Sequence, residues 1–198
     1  LKGSLQINGE TISSTGASND AIIIRYDKNG NAQSAKTIYG SEGSAGESIN
    51  TIASTVDGGF IIGGYFDSFS IRIGNRVLYN NSDPGSQYFI AKYNKAGEAE
   101  WAKNIGTKTL QIQSIQEANN GDVLVSGYYY YSSSSIKVDN ITIPGGNGSY
   151  DSFLIRLDKT GNVKWVKTIG GSETDENRAV CATQDRWKCN GHSFKKYF

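Results

Sequence analysis

Apolar and polar residues alternate along several short segments of the chain, as they do in half-buried β-strands. In the segment DSFLIRLD, one row of side chains is Phe153, Ile155 and Leu157, and the other row mixes Ser152 with Leu154. A strand that is apolar on both faces lies between two other layers. The pattern therefore predicts short strands in sheets that stack face to face, and helix signals are weak throughout.

The strand pattern recurs about every 65 residues, which is typical of tandem structural units. Three long segments align, beginning DAIIIRYDKNG at Asp20, QYFIAKYNKAG at Gln87 and DSFLIRLDKTG at Asp151. A hairpin pattern precedes each of them, namely SLQINGETI, SIRIGNRVL and SIKVDNITI. A third pattern begins at Ile49 and again at Ile112. Each unit is thus predicted to hold four main strands and one extra hairpin.

The turns of the repeat have a chemical explanation. DKNG, NKAG and DKTG place Asp or Asn first and a glycine fourth, at Gly30, Gly97 and Gly161. This order suits a type I turn followed by a left-handed glycine, a common hairpin loop. The preceding hairpins carry Asn-Gly, Gly-Asn and Asp-Asn pairs, which favour two-residue primed turns. The three glycines are therefore expected to be structural repeat positions.

The motifs resemble a known family of repeats. The segment DSFLIRLDKTGNVKWVKTIGG from Asp151, together with ASTVDGGFIIGG from Ala53, is similar to the bacterial surface-type β-propeller repeat (SBBP-like). The resemblance covers nearly the whole chain and implies four-stranded blades in a secreted or cell-surface bacterial protein. The chain departs from the family in its longer hairpin. Ser34 also replaces the tryptophan that stands at Trp101 and Trp165 in the other units.

We therefore expect an all-β fold of tandem four-stranded antiparallel blades with an extra hairpin per repeat, forming a partial, open β-propeller. Propellers have about four to eight blades, so three repeats do not close a ring. The rest of a propeller, or self-association, is expected to cover the open edges. The predicted parts are a partial blade at 1–48 (hairpin plus two outer strands), blades at 49–111 and 112–174, the start of another blade at 175–185, and a tail at 186–198.

The tail departs from the repeat. After Gln184 the pattern requires a strand of the type DGxVxVxG, but the chain continues DRWKCNGHSFKKYF. One set of codons for Arg186 to Ser193, shifted by one base, encodes Asp-Gly-Asn-Val-Met-Val-Thr, which is the expected strand. The sequence thus predicts an out-of-frame or disordered tail, with a genuine basic tail as the alternative.

Charge and composition argue against several classes of function. Lys and Arg number 20 against 19 Asp and Glu, so the basic excess that nucleic-acid binding requires is missing. No stretch approaches the 18 or so apolar residues of a membrane helix, and no membrane insertion is expected. No signal peptide is visible and the chain has no methionine, which predicts a piece of a longer protein.

Few residues suggest catalysis or metal binding. His192, the only histidine, lies in the tail, which argues against Ser-His-Asp catalysis and histidine-bound metals. Cys181 and Cys189 lack the second pair of a zinc site, and Cys181 is expected to be a buried apolar residue on an inner strand. DKNGN from Asp27 favours a turn over a calcium loop. The acidic GSETDE from Gly171 favours a solvated loop over a cation site. No enzyme activity, cofactor or metal is expected.

The best candidate contact site is the run Tyr128, Tyr129, Tyr130 and Tyr131, which four serines follow. Alternation along a strand puts two of these rings on each face. Exposed tyrosines among serine and glycine are typical of recognition surfaces, so we expect contact with a protein or glycan ligand. Trp101 and Trp165 recur at one repeat position and are expected to pack between blades, with sugar stacking as the alternative.

The sequence therefore predicts a non-catalytic scaffold or a binding and adhesion module at the cell surface or outside the cell. Two alternatives remain. One is a fragment of a propeller enzyme, such as a glycan hydrolase or lyase, because propellers also host catalytic sites. The other is a glycan-binding lectin.

Overall fold

A computed structural model describes residues 1–14, 19–41, 46–81, 85–107, 109–130, 136–143, 149–182 and 187–188. Within these ranges the chain contains strands and turns but no helix, which confirms the predicted all-β class. The strands are β1 Ser4–Ile7, β2 Glu10–Ser13, β3 Ala21–Tyr26, β4 Ala32–Ile38, β5 Glu47–Ser54, β6 Phe60–Phe66, β7 Ser70–Ile73, β8 Arg76–Tyr79, β9 Gln87–Tyr93, β10 Ala99–Thr107, β11 Leu110–Glu117, β12 Val123–Tyr130, β13 Ile136–Val138, β14 Ile141–Ile143, β15 Tyr150–Leu157, β16 Val163–Ile169, β17 Cys181–Ala182 and β18 Trp187–Lys188.

Two antiparallel sheets of four strands form the centre of the molecule. The first sheet has the order β5-β6-β9-β10 and the second has the order β11-β12-β15-β16, so the two share one connectivity. Along the chain, a two-stranded hairpin connects the second and third strands of each sheet: β7–β8 in the first sheet and β13–β14 in the second. The sheets begin at Glu47 and Leu110, two residues before the predicted boundaries at 49 and 112. The described strands do not close into a ring.

The two sheets pack face to face through a continuous apolar core. Ile61 and Ile90 of the first sheet meet Val125, Phe153 and Ile155 of the second, and all five are fully buried. Each such side chain contributes about 1.5–3 kcal/mol relative to an exposed position.

Half-sheets cover the outer faces of this pair. The hairpin β3–β4 buries Ala21 and Ile38 in a second core with Ile62 and Phe89 of the first sheet. On the far side, Val180 packs against the outer face of the second sheet. The central sheets are thus apolar on both faces because each lies between two layers, as the alternation pattern predicts.

The predicted left-handed glycines are confirmed. Gly30, Gly97 and Gly161 have φ values of 83°, 78° and 86°. The side chains before them hold the turn, since the Asp27 carboxylate accepts hydrogen bonds from the backbone amides of Asn29 and Asn31 at 2.8 and 2.9 Å. The DKNGN segment thus uses its aspartate to cap a turn, the interpretation that the sequence favours over a calcium loop.

The prediction of a buried Cys181 is wrong, because this thiol is exposed. Its neighbour Val180 faces the second sheet, and successive side chains of an extended segment point to opposite sides. Cys181 therefore points away from the core, where no other described strand covers it. Cys189, His192 and the predicted tail lie outside the described residues, apart from the two positions of β18. Among the described ranges there is no helix long and apolar enough to cross a membrane.

Candidate functional site

Three tyrosines from two neighbouring strands form a cluster on the second sheet, which we call the tyrosine patch: Tyr128, Tyr130 and Tyr150. Tyr130 of β12 is the register partner of Tyr150 of β15, and Tyr128 lies two residues earlier on the same face. The Tyr150 centroid lies 5.3 Å from each of the other two, with interplanar angles of 85° to Tyr128 and 65° to Tyr130. Edge-to-face contacts of this kind hold the rings in one arrangement.

Polar groups border the patch. The Tyr128 hydroxyl donates a hydrogen bond to Oε1 of Gln111 at 2.7 Å. The guanidinium carbon of Arg178 lies 6.0 Å from the Tyr128 ring centroid, at the limit of a cation–π contact. Arg178 in turn donates to the Glu176 carboxylate at 2.5 Å. The patch therefore presents aromatic edges beside an amide, a cation and an anion.

The rings of the patch differ in exposure. Tyr130 is 52% exposed, whereas Tyr128 is half-buried. Burial raises the pKa of Tyr128, the Glu176 carboxylate raises it further, and the Arg178 guanidinium opposes both. The Tyr128 phenol thus stays protonated at neutral pH and can both donate and accept a hydrogen bond.

The segment that follows β16 supplies the polar border. The backbone amide of Asp175 donates to the Tyr150 carbonyl at 2.7 Å, and the Ser152 hydroxyl donates to the Asp175 carbonyl at 2.8 Å. A buried hydrogen bond of 3.1 Å links Ser126 and Asn177. These contacts place Glu176 and Arg178 beside the rings. The part of the chain that the structure describes holds no group of three His, Cys, Asp or Glu side chains suited to a metal ion.

The structure divides the predicted tyrosine run between two faces. Tyr129 points into the core between the sheets, where it is 3% exposed and burial raises its pKa. Tyr131 lies outside the described residues. Tyr150, Gln111 and Arg178 were missed as site residues, because strand pairing brings the first two to the run and the segment after β16 brings Arg178. The one sequence signal that could have indicated Tyr150 was its position directly before the predicted strand DSFLIRL.

The predicted repeat tryptophans lie against protein. Trp101 is buried, and its indole Nε1 donates to the Lys159 carbonyl at 3.0 Å, in the turn that contains Gly161. Trp165 is half-buried and packs against Leu124 and Leu154 of its own sheet. Because the Trp101 ring covers the neighbouring turn, it has no open face for a sugar to stack on.

Lysines make the same contact in successive units. The Lys36 ammonium donates to the Gly97 carbonyl at 2.5 Å, and the Lys103 ammonium donates to the Gly161 carbonyl at 2.9 Å. The turns at Gly97 and Gly161 are thus each held by a lysine from the preceding unit, which gives these recurring lysines and glycines a structural role.

A buried lysine joins the two sheets. The Lys92 ammonium lies 3.1 Å from carboxylate oxygens of Asp57 and Glu117 and 3.5 Å from Glu100. Burial opposes its charge, but the hydrogen bonds to Asp57 and Glu117 outweigh burial and raise its pKa. A lysine nucleophile needs a lowered pKa, so Lys92 serves as an ion-pair centre between the sheets.

Among the residues that the structure describes, Glu47 is the carboxyl group that most resembles a catalytic acid. Burial raises its pKa, and the nearby Asp20 and Asp67 carboxylates act in the same direction. Raised carboxyl pKa values are common among general acids. The side chain is 5% exposed, however, and it lies beneath Ser68, which donates a hydrogen bond to it at 2.5 Å. In the described part of the chain, the Glu47 carboxyl is therefore a buried group held by a hydrogen bond to Ser68.

In comparisons with known proteins, no protein-family profile and no curated protein matches the chain. The resemblance to the bacterial surface-type repeat rests on the motifs alone.

Proposed function

We propose that the chain is a non-catalytic segment of a β-propeller from a secreted or cell-surface bacterial protein and that it binds a surface ligand through the tyrosine patch. The architecture supports the first part. Two four-stranded sheets with one connectivity stack face to face, and each carries a hairpin at the same place, as successive blades of a propeller do.

The observation that supports binding is the exposed aromatic cluster at a strand end. Tyr130 leaves half of its surface in water although its ring contacts Tyr150, which in turn contacts Tyr128. Rigid tyrosines give contact area at a low cost in conformational entropy. The amide of Gln111 and the charges of Arg178 and Glu176 can hydrogen-bond the hydroxyls of a sugar, which makes a glycan the best-fitting ligand.

A glycan array tests the proposal with the intact chain, Tyr130→Ala and a control. Tyr79→Ala is the matched control because Tyr79 is 64% exposed on the hairpin strand β8, outside the patch. We expect Tyr130→Ala to weaken binding of any recognised glycan by about tenfold, equivalent to about 1.4 kcal/mol, and Tyr79→Ala to leave it unchanged. Absence of glycan binding by the intact chain, or equal binding by both variants, would refute the glycan assignment.

A further inference from the structure

Two equivalent contacts join the last strand of one unit to the hairpin of the next unit. The first contact is that of β4 with the hairpin β7–β8, and the second is that of β10 with the hairpin β13–β14. In the second contact, the Lys103 ammonium donates hydrogen bonds to the Gly161 carbonyl and to the Asp139 carboxylate in the hairpin turn. In the first contact, the Lys36 ammonium donates to the Gly97 carbonyl at 2.5 Å. The repeat therefore gives Lys36 the place that Lys103 has in the second contact.

The hairpin turn of the first contact lacks the carboxylate. The hairpin SIRIGNRVL has Gly74 where SIKVDNITI has Asp139. Both residues have positive φ, at 58° and 52°, so the two turns match in backbone conformation at this position. The side chain that the Lys103 ammonium binds thus has no counterpart opposite Lys36.

A cavity of about 560 Å³ adjoins both Gly74 and Lys36. It lies between β4, the hairpin β7–β8 and the turn that joins β9 to β10. Cavities of about 300–1,000 Å³ are of the size that holds small molecules. The cavity therefore has room for a carboxylate together with the body of the molecule that carries it.

Two cations and one carboxylate line this cavity. The cations are the exposed side chains of Lys36 and Arg72, and among the residues that the structure describes neither forms an ion pair. A guanidinium binds a carboxylate through two parallel hydrogen bonds. The carboxylate is that of Glu98, whose Oε2 accepts a hydrogen bond from the Asn94 amide at 2.9 Å. These groups together carry a net positive charge, which attracts an anion.

A buried phenol adds a neutral donor to the lining. Tyr93 lines the cavity, is 4% exposed and stacks on Phe60 with the ring centroids 4.7 Å apart. Burial raises the pKa of Tyr93 to about 12, so its phenol stays protonated at neutral pH and can donate a hydrogen bond. The second contact has Leu157 at the equivalent position, which has no polar side-chain group. The first contact thus loses a carboxylate and gains a donor.

We propose that this cavity binds a small organic acid, whose carboxylate takes the place that the Asp139 carboxylate has in the second contact and pairs with Lys36 and Arg72. No residue that lines the cavity belongs to the tyrosine patch, so acid binding and glycan binding can fail separately. Acetate is the smallest probe of this chemistry, and acetamide has nearly the same shape without the charge.

NMR titrations of the ¹⁵N-labelled whole chain, with sodium chloride keeping the ionic strength constant, test the proposal. We expect acetate to shift the amide signals of Gly74, Asn75 and Gly97 until they saturate, and acetamide to leave them unshifted. Phosphate should bind more weakly than acetate. Acetate shifts that do not saturate would overturn the site, and equal shifts by acetamide or tighter binding of phosphate would overturn the carboxylate assignment.

Variants locate the binding. Lys36→Met removes the ammonium and keeps an apolar stem, so the affinity for acetate should fall by about tenfold or more. Lys28→Met is the matched control, because Lys28 is exposed and lies outside the cavity, and its affinity should not change. Gly74→Asp supplies a carboxylate from within the chain, as Asp139 does, and should abolish acetate binding. The amide spectrum of each variant shows that it is folded, and acetate binding by folded Lys36→Met or Gly74→Asp equal to that of the unmodified chain would overturn the proposal.

Discussion

Gly97 and Gly161 occupy equivalent turns of neighbouring units, but their surroundings differ in a way that can be measured. Both have positive φ, at 78° and 86°. A β-carbon at Gly97 would lie 3.5 Å from Cε of Lys36, an ordinary contact. A β-carbon at Gly161 would lie 2.9 Å from Cδ2 of Trp101, which is too close for carbon atoms.

These distances predict different costs for the same substitution. Alanine in the left-handed region costs about 1–2 kcal/mol, and this term applies to both glycines. Pressing a methyl group against a packed ring adds about 1–3 kcal/mol at Gly161 alone. We therefore expect Gly97→Ala to lower the free energy of unfolding by about 1–2 kcal/mol and Gly161→Ala to lower it by about 2–5 kcal/mol.

Urea unfolding with an unchanged m value measures both losses. The clash is isolated by combining Gly161→Ala with Trp101→Ser, because the first unit carries Ser34 at the position of Trp101. In that background the added cost of Gly161→Ala should fall to the value for Gly97→Ala, as a double-mutant cycle reports for residues in contact. Equal losses for the two single variants, or strict additivity in the cycle, would refute the reasoning.

Three further predictions follow from buried, hydrogen-bonded and exposed groups. Lys92→Met should lower the free energy of unfolding in urea by about 3–5 kcal/mol, because it leaves the buried Glu117 carboxylate without its ammonium partner. Adding Glu117→Leu to this variant should recover most of the lost stability. If stability is not recovered, the ion-pair role of Lys92 is contradicted. Hydrogen bonds, first from the Thr160 hydroxyl, lower the pKa of Asp158 from 3.8 to about 2, so its contribution to stability is complete above its ordinary pKa and is lost as the pH falls towards 2. Asp158→Asn should therefore reduce the fall in unfolding free energy between about pH 4 and pH 2. An unchanged slope in this range would contradict the role of the Asp158 hydrogen bonds. Cys181 should react with iodoacetamide in the folded protein, as peptide mapping can show, and protection until denaturant is added would contradict its exposure.

The candidate site was only partly predictable. The tyrosine run is visible in the sequence, and alternation separates Tyr129 from its two neighbours. The run does not show which strand lies beside it, because register depends on hydrogen bonds between distant segments. Tyr150 and Arg178 therefore enter the patch only through β15 and the segment after β16.

The sequence by itself determined the strands, their turns and the period of the units. These properties are local: side chains of a strand alternate in direction, and Gly30, Gly97 and Gly161 adopt a backbone conformation that residues with a β-carbon rarely adopt. Local rules suffice wherever a residue's neighbours along the chain set its conformation.

The tertiary structure alone decided which residues at matching positions of the repeated sequence are covered by other strands or joined in ion pairs. Ile52 and Ile115 belong to one sequence pattern, yet one faces a groove and the other a sheet. Lys92 meets three carboxylates from other segments, and Cys181 is exposed although its strand enters a layered core. Burial and ion pairing of a residue depend on which layer packs against its strand. A repeated sequence pattern produces the same strand again, but it does not place the same layer against it.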